Sequence, residues 1–437
     1  MSRTSEPGSI DRSQADEDYP LSAVPPEARQ PILSLAPLLI SFTLYSGNLW
    51  LGEIVGSAYR FWPDLIRTVL LGNLLVGVYA AAIAYIAANS GLNTVLMARF
   101  SFGNLGSRWV DLILGIPQIL LYAWGSSLIA QLINQVVGLP LSFNWLIIIF
   151  FTYAFCTTAY MGYLAMDWFS RLAVPVMVIL LIWSLSIAAG DAGGFSDLQA
   201  IIPQKQLSLE EAITLIFGVL VSGATQATNF SRFASNGRQA AQVTLLAFFL
   251  GNSLLIFCGA CYSIIYGTEQ IVQVMTKQEL LVWGLAFLFL NMWTSQDKII
   301  YSFSLAGANL FRTKKRNRLV FVGVTIALFL AWGGIDNPMT YLLKLFGTLI
   351  PPIGGVIMAD YWLHYQGKFP SLQKQAPAYN RRGLLSYVIA CAIAWYVPGI
   401  KPINGMIAAA VLYSLMLGKN RGGDGEMGRW GDGETKR

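Results

Sequence analysis

Long apolar runs leave this chain few folds to choose from. A helix needs about 20 residues to cross the roughly 30 Å of a bilayer's hydrocarbon. Runs of that kind lie at 33–57, 68–90, 109–137, 143–163, 168–190, 209–231, 240–266, 279–306, 319–335, 339–363, 383–399 and 402–418. Charged side chains are 12% of the chain, against about 25% for a soluble globular protein, and they fall mainly between the runs. A soluble fold is excluded. The pattern predicts an all-α polytopic membrane protein with twelve transmembrane helices, numbered here as spans 1 to 12.

The basic residues predict the orientation. With the N-terminus inside, the outer loops hold Arg60, Arg67, Lys205, Lys277 and Lys401, while Lys298 and Lys344 lie within spans. The other 22 of the 29 Lys and Arg residues then fall inside. Such a bias predicts a multi-pass protein of the inner (plasma) membrane, surrounded by lipid, with both termini cytoplasmic. The net charge of +6 therefore needs no nucleic-acid partner. RTKKRNR at 312–318 reads as a topology determinant between spans 8 and 9.

Residues 1–30 are polar and lack the apolar core of a signal peptide. They, and the Gly-rich charged residues 419–437, are expected to be disordered cytoplasmic tails. Cys156, Cys258, Cys261 and Cys391 all lie in apolar runs, where unpaired buried thiols are expected.

Two spans are interrupted by small and polar residues. Span 1 contains TLYSGNLWLGE at 43–53, and span 6 contains LIFGVLVSGATQATNFSRF at 215–233. Ser46-Gly47 is followed by Asn48, and Ser222-Gly223 by Gln226. Glycine eases departure from helical dihedrals, and the polar side chains can satisfy the freed backbone groups. A broken helix is expected in each span, of the kind that forms midplane sites in secondary transporters. The offset of five spans predicts two inverted repeats, 31–190 and 191–365, followed by two extra spans over 366–418.

Span 8 contains LNMWTSQD at 290–297. Asn291, Thr294 and Ser295 share one helical face by their i, i+3, i+4 spacing. A carbonyl at Asn291 and two hydroxyls form an uncharged oxygen set suited to a hard cation such as sodium. Carbonyls from residues 45–48 would complete it. The alternative is that both hydroxyls bond back to their own helix. Asp297 and Lys298 follow, and spacing leaves open whether they pair with each other, pair with neighbours or belong to a gate. Glu53 stands five residues past the break, about 7 Å further along a helix. It is a candidate to accept hydrogen bonds from a substrate amino group or to carry a coupled proton; the alternatives are a carboxylate wetted by an outer vestibule or held by Arg60.

Enzyme chemistry finds little support. The chain has one histidine, His364, and lacks H-E-x-x-H, G-x-S-x-G and G-x-x-x-x-G-K-[ST]. No cofactor is expected, and the energy source is predicted to be an ion gradient.

With ARFSFGNLGS at 98–107, AFFLGNSL at 247–254, LNMWTSQD at 290–297 and IPPIGGVIMADYW at 350–362, the chain resembles the cytosine permeases of the nucleobase–cation symporter family. The likeness runs from about residue 27 to 365. It implies a leucine-transporter type of fold, with a five-plus-five inverted repeat and two C-terminal helices. It also implies a monomer that imports a nucleobase or related planar heterocycle by alternating access, coupled to sodium or a proton. The implied sodium ligands are backbone oxygens of Tyr45, Asn48 and Asn291 and the hydroxyls of Thr294 and Ser295. The implied substrate contacts are Ser46, Gly47, Gln118, Leu121, Tyr122, Val219, Leu220 and Ser222. Leu121 and Leu220 stand where the family stacks its base on aromatic rings, which makes Glu53 and these leucines candidate specificity residues. Thiamine-precursor pyrimidines, allantoin and hydantoins are alternative substrates, and an uncoupled channel is an alternative mechanism.

Overall fold

The computed structural model describes residues 18–138, 140, 143–200, 203, 206–334, 339–372 and 377–418. Each of the twelve apolar stretches is helical. Among the described residues, seven helices are long and apolar enough to cross a membrane, or eight if the bent pair of span 1 counts as one. Span 8 is a single helix, Leu281–Leu310, that buries Asp297 and Lys298 near its middle. Spans 9, 11 and 12 are shorter, at Arg316–Trp332, Arg381–Tyr396 and Lys401–Gly418.

Helix ends follow local chemistry. Span 2 stops at Gly91, whose φ of 71° is left-handed and cheap only for glycine. Span 6 starts at Ser208, whose hydroxyl accepts from Glu211 N at 3.2 Å, with Glu210 and Glu211 in the favourable first turn.

Small residues set a close helix contact. The second half of span 1, Gly47–Gly56, lies against the half of span 7 formed by Asn252–Tyr266. A Cβ at Gly52 would run into Ile256 O and come within 2.8 Å of Ala260 N. One at Gly259 would run into Leu49 O. Lipid provides no hydrophobic drive between helices, so backbones brought this close supply dispersion contacts instead.

Two expectations are overturned. Span 6 does not break at Ser222-Gly223: the helix Leu209–Gln226 runs straight through, and only a short interruption at Ala227 precedes Thr228–Ser231. Gly223 serves close packing instead, because a Cβ there would lie 2.8 Å from the Phe42 ring.

The second concerns the expected N-terminal tail. Residues 18–30 are ordered and pack across one end of the bundle, while residues 1–17 and 419–437 lie outside the described residues. Asp18 pairs with Arg316 at 3.1 Å and accepts from Tyr163 N at 3.2 Å. Arg232, fully buried, donates to Asp18 O at 2.6 Å and Tyr19 O at 2.8 Å. Gln30 exchanges backbone bonds with Phe233 and Ser235, and Val24 N donates to Gly91 O at 2.9 Å. Composition marked the segment as polar. What orders it is a pair of arginines more than 200 positions away in sequence.

Candidate functional site

The break in span 1 organises the site. Helix Ile32–Thr43 ends, residues 44–46 are unwound, and Gly47–Gly56 resumes at a 53° bend. The unwound stretch therefore begins and ends earlier than the expected 45–48. Gly47 is required by its surroundings, since a Cβ would lie 2.6 Å from both the Trp124 and the Tyr45 rings.

The freed backbone groups find partners in span 8. Leu44 O accepts from Asn291 Nδ2 at 2.5 Å and from Ser295 Oγ at 3.2 Å. Ser46 Oγ donates to Asn291 Oδ1. Asn48 Nδ2 closes the gap by donating to Thr43 O at 2.9 Å. Asn291, Thr294 and Ser295 are all buried, so these bonds form in a dry interior where an unpaired carbonyl is costly.

Of the expected cation ligands, Asn291 and Ser295 meet the break, whereas the Thr294 hydroxyl bonds back to its own helix, as the alternative reading has it. Asn291 O accepts from Thr294 Oγ1 at 3.2 Å, and Thr294 Oγ1 also bonds back to Leu290 O at 2.8 Å. The carbonyl that reaches span 8 is that of Leu44, not those of Tyr45 and Asn48. Tyr45 O is taken by Asn48 N at 2.8 Å, and the Asn48 backbone already belongs to the second half-helix. The Asn48 side chain serves the break itself through Thr43 O, and its Oδ1 is buried without a hydrogen-bond partner. A buried set of carbonyl and hydroxyl oxygens, Leu44 O, Asn291 O, Thr294 Oγ1 and Ser295 Oγ, is of the chemistry that fits a hard monovalent cation.

Beside this cluster lies a small cavity, lined by Phe42, Tyr45, Gln118, Leu121, Val219, Leu220, Gly223, Ser295 and Ile299. Four expected substrate residues are in its wall: Gln118, Leu121, Val219 and Leu220. Ser222 stands behind them, accepting from Gln118 Nε2 at 3.0 Å and Gln226 Nε2 at 3.3 Å, and so holds the Gln118 amide. Tyr122 is elsewhere: its hydroxyl donates to Thr152 O at 2.6 Å, and its carbonyl accepts from Gln296 Nε2 at 2.8 Å. Gly47 packs on Trp124, and Ser46 lines a different cavity.

The aromatic walls come from span 1. Phe42 and Tyr45 flank the cavity, whereas spans 3 and 6, where the family resemblance puts its stacking rings, supply Leu121 and Leu220 as the sequence shows. Phe42 is the second-last residue of the first half-helix, so its nearness to the break was the signal available for it. The Tyr45 hydroxyl is buried without a hydrogen-bond partner.

Beyond the break a second cavity of about 230 Å³ is lined by Ser46, Trp50, Trp124, Gln131, Glu269 and Gln270, among others. The Tyr45 and Trp124 rings, 5.9 Å apart, stand between the two cavities. Glu269 is half-buried, and burial, reinforced by the charge of Glu53, pushes its carboxyl up. Glu53 is itself half-buried, and among the described residues the ion pairs do not include one with Arg60.

Comparison with known proteins follows the same lines. Residues 29–416 match the family model for permeases for cytosine/purines, uracil, thiamine and allantoin. The cytosine permeases of Escherichia coli strain K12 and E. coli O157:H7 are 31% identical over 401 residues, covering 92% of this chain and 94% of theirs. Among solved structures, the nucleobase-cation-symport-1 family transporter Mhp1, closed with bromovinylhydantoin bound, superposes with a TM-score of 0.80 at 16% identity, over 92% of this chain and 95% of that one. A Na+-coupled sialic acid symporter superposes with a TM-score of 0.64 at 11% identity, over 90% of each chain. The family match over residues 29–416 and the 31% identity across nearly the whole length of both chains lead to one conclusion: this chain belongs to the family of permeases for cytosine and purines, uracil, thiamine and allantoin.

Proposed function

We propose that this chain is a secondary active transporter that imports a nucleobase or related planar heterocycle together with a cation, sodium being the coupling ion. One observation carries the reading. Tyr45 and Ser295 both line the small cavity, and they belong respectively to the broken span 1 and the polar span 8, which meet at Leu44 O. A cation held by those oxygens would fix the wall against which the substrate lies, so each ligand favours the conformation the other needs. The relatives' cytosine permease names place the substrate in the nucleobase class.

The chain acts as a permease and not an enzyme. Twelve spans in two inverted repeats, 31–190 and 191–365, plus two more over 366–418, alternate access to the site from either side of the inner membrane. Both termini are cytoplasmic, and the monomer is the working unit. In this state the small cavity encloses about 20 Å³, room for about one water. Substrate binding must widen it, and Phe42, Leu121 and Leu220 are the side chains in the way.

The Tyr45 hydroxyl and the Gln118 amide are the polar groups offered to the edge of the heterocycle. A second reading, a hydantoin or allantoin, is favoured by Leu121 and Leu220, whose flexible apolar walls suit a less aromatic ring. Uptake of radiolabelled cytosine and hydantoin into proteoliposomes tests the proposal. An inward sodium gradient is expected to drive accumulation of one of them where potassium does not. Flux that ignores both a sodium and a proton gradient would establish the uncoupled channel instead. Tyr45→Phe is expected to weaken substrate affinity about tenfold, the worth of one neutral hydrogen bond, with the sodium requirement retained.

A further inference from the structure

Asp297 and Lys298 sit side by side in span 8, and neither has exposed surface. Charges inside a membrane span are expensive, and they mark function when nothing in the fold demands them. Lys298 Nζ donates to Asp297 Oδ1 at 3.0 Å and, curling back one turn, to Thr294 O at 2.7 Å. Asp297 Oδ2 accepts from Thr158 Oγ1 at 2.9 Å, and that hydroxyl oxygen also accepts from Trp293 Nε1 at 3.2 Å. Another acid whose charge acts on Lys298, Asp167 in span 5, is occupied by Arg171 at 2.6 Å.

The pair therefore lies within one helical turn of the oxygen cluster. It touches that cluster through Thr294, whose hydroxyl is a candidate cation ligand and whose carbonyl carries the ammonium. A carboxylate at this distance from a cation site attracts the transported ion directly. Here a covalently tethered ammonium already occupies it. We propose that Lys298 is a resident counter-ion: it neutralises Asp297 in place of the transported cation and thereby sets how tightly the Asn291, Thr294 and Ser295 oxygens hold that cation. Lys298 is a positioning residue in this role, and the inference rests on the cation reading above.

Charge arithmetic gives the signs. Lys298→Gln keeps hydrogen-bond donors and leaves one uncompensated negative charge beside the cluster. Sodium should then bind at least about tenfold more tightly, a modest yield for a unit charge within a turn in a poorly screened interior. Asp297→Asn leaves an uncompensated positive charge and should weaken sodium by at least about tenfold. Lys298→Arg and the double variant Asp297→Asn/Lys298→Gln keep the local charge at zero and should stay within about threefold of the parent.

The experiment uses the full chain in detergent and follows melting temperature as sodium replaces potassium at constant ionic strength, reading the sodium midpoint. A lower midpoint for Lys298→Gln and a higher one for Asp297→Asn establish the role. A purely structural pair would lower stability equally in both salts and leave the midpoint in place, which overturns the proposal and leaves the cation reading standing. If neither single variant folds while the double variant does, the pair is structural and the proposal also falls. If no form, parent or variant, distinguishes sodium from potassium, the cation reading itself is lost.

Discussion

Asn291→Ala is expected to lower gradient-driven uptake at least about 100-fold, the largest loss from any single site residue. The side chain makes two bonds to the unwound stretch: it donates to Leu44 O at 2.5 Å and accepts from Ser46 Oγ. Alanine leaves one buried carbonyl short of its main donor and one buried hydroxyl without its acceptor, at about 1–3 kcal/mol each. Each 1.4 kcal/mol is about a factor of ten, so a 100-fold loss needs about 2.8 kcal/mol, which lies inside the summed range of about 2–6 kcal/mol. The contrast with Ser295→Ala sharpens the test. Ser295 makes the weaker bond to the same carbonyl, at 3.2 Å, and its loss leaves Asn291 in place. That variant should keep the break intact, retain substrate binding in potassium and lose the response to sodium. Uptake at several sodium concentrations, measured for both variants, separates the two outcomes.

Asp18→Asn is expected to cost about 3 kcal/mol of stability, the low end for one broken half of a buried ion pair. The low end applies because Arg316 keeps two carbonyl acceptors, Ala159 O at 2.7 Å and Tyr160 O at 3.3 Å, and lies over the Tyr301 ring at 5.0 Å. Arg232 holds the same segment through its backbone carbonyls and is untouched by the change. Thermal or denaturant unfolding of the purified variant reads the loss. An unchanged midpoint would mean that residues 18–30 contribute little to holding that end of the bundle.

How much of this was visible in the sequence depends on which physical signal each feature uses. The helical stretches were legible because lipid forces every backbone group to be satisfied within the helix, so length and apolarity suffice. The span 1 break was legible for the same reason: Ser46, Gly47 and Asn48 are costly in an apolar run unless they do something. Ser222-Gly223 carries the same local signal and does not break. The difference lies in partners: the carbonyl freed at Leu44 meets Asn291 and Ser295 of span 8, and that is tertiary information. Residues 18–30 were misread for a related cause. Polar composition predicts disorder when nothing pairs with it, and here Arg232 and Arg316 do.

Within the site, the i, i+3, i+4 spacing correctly grouped Asn291, Thr294 and Ser295 on one buried face. The spacing had no means of selecting Leu44 as the carbonyl they meet, because an unwound segment has no period. Nor did it place Phe42 and Tyr45 in the cavity wall, since both precede the polar dipeptide that drew attention to the span.

Ligand-dependent thermal stability of the detergent-purified protein is the most direct test of a joint cation and heterocycle site. The panel is cytosine, uracil, allantoin and hydantoin, each in sodium and in potassium. A ligand at 100 times its dissociation constant should add about 2.7 kcal/mol. The geometry predicts that at least one planar heterocycle does so in sodium and falls well short in potassium. Stabilisation that is equal in the two salts, or absent for every heterocycle in both, would show that the broken span and the polar face of span 8 do not form a coupled site.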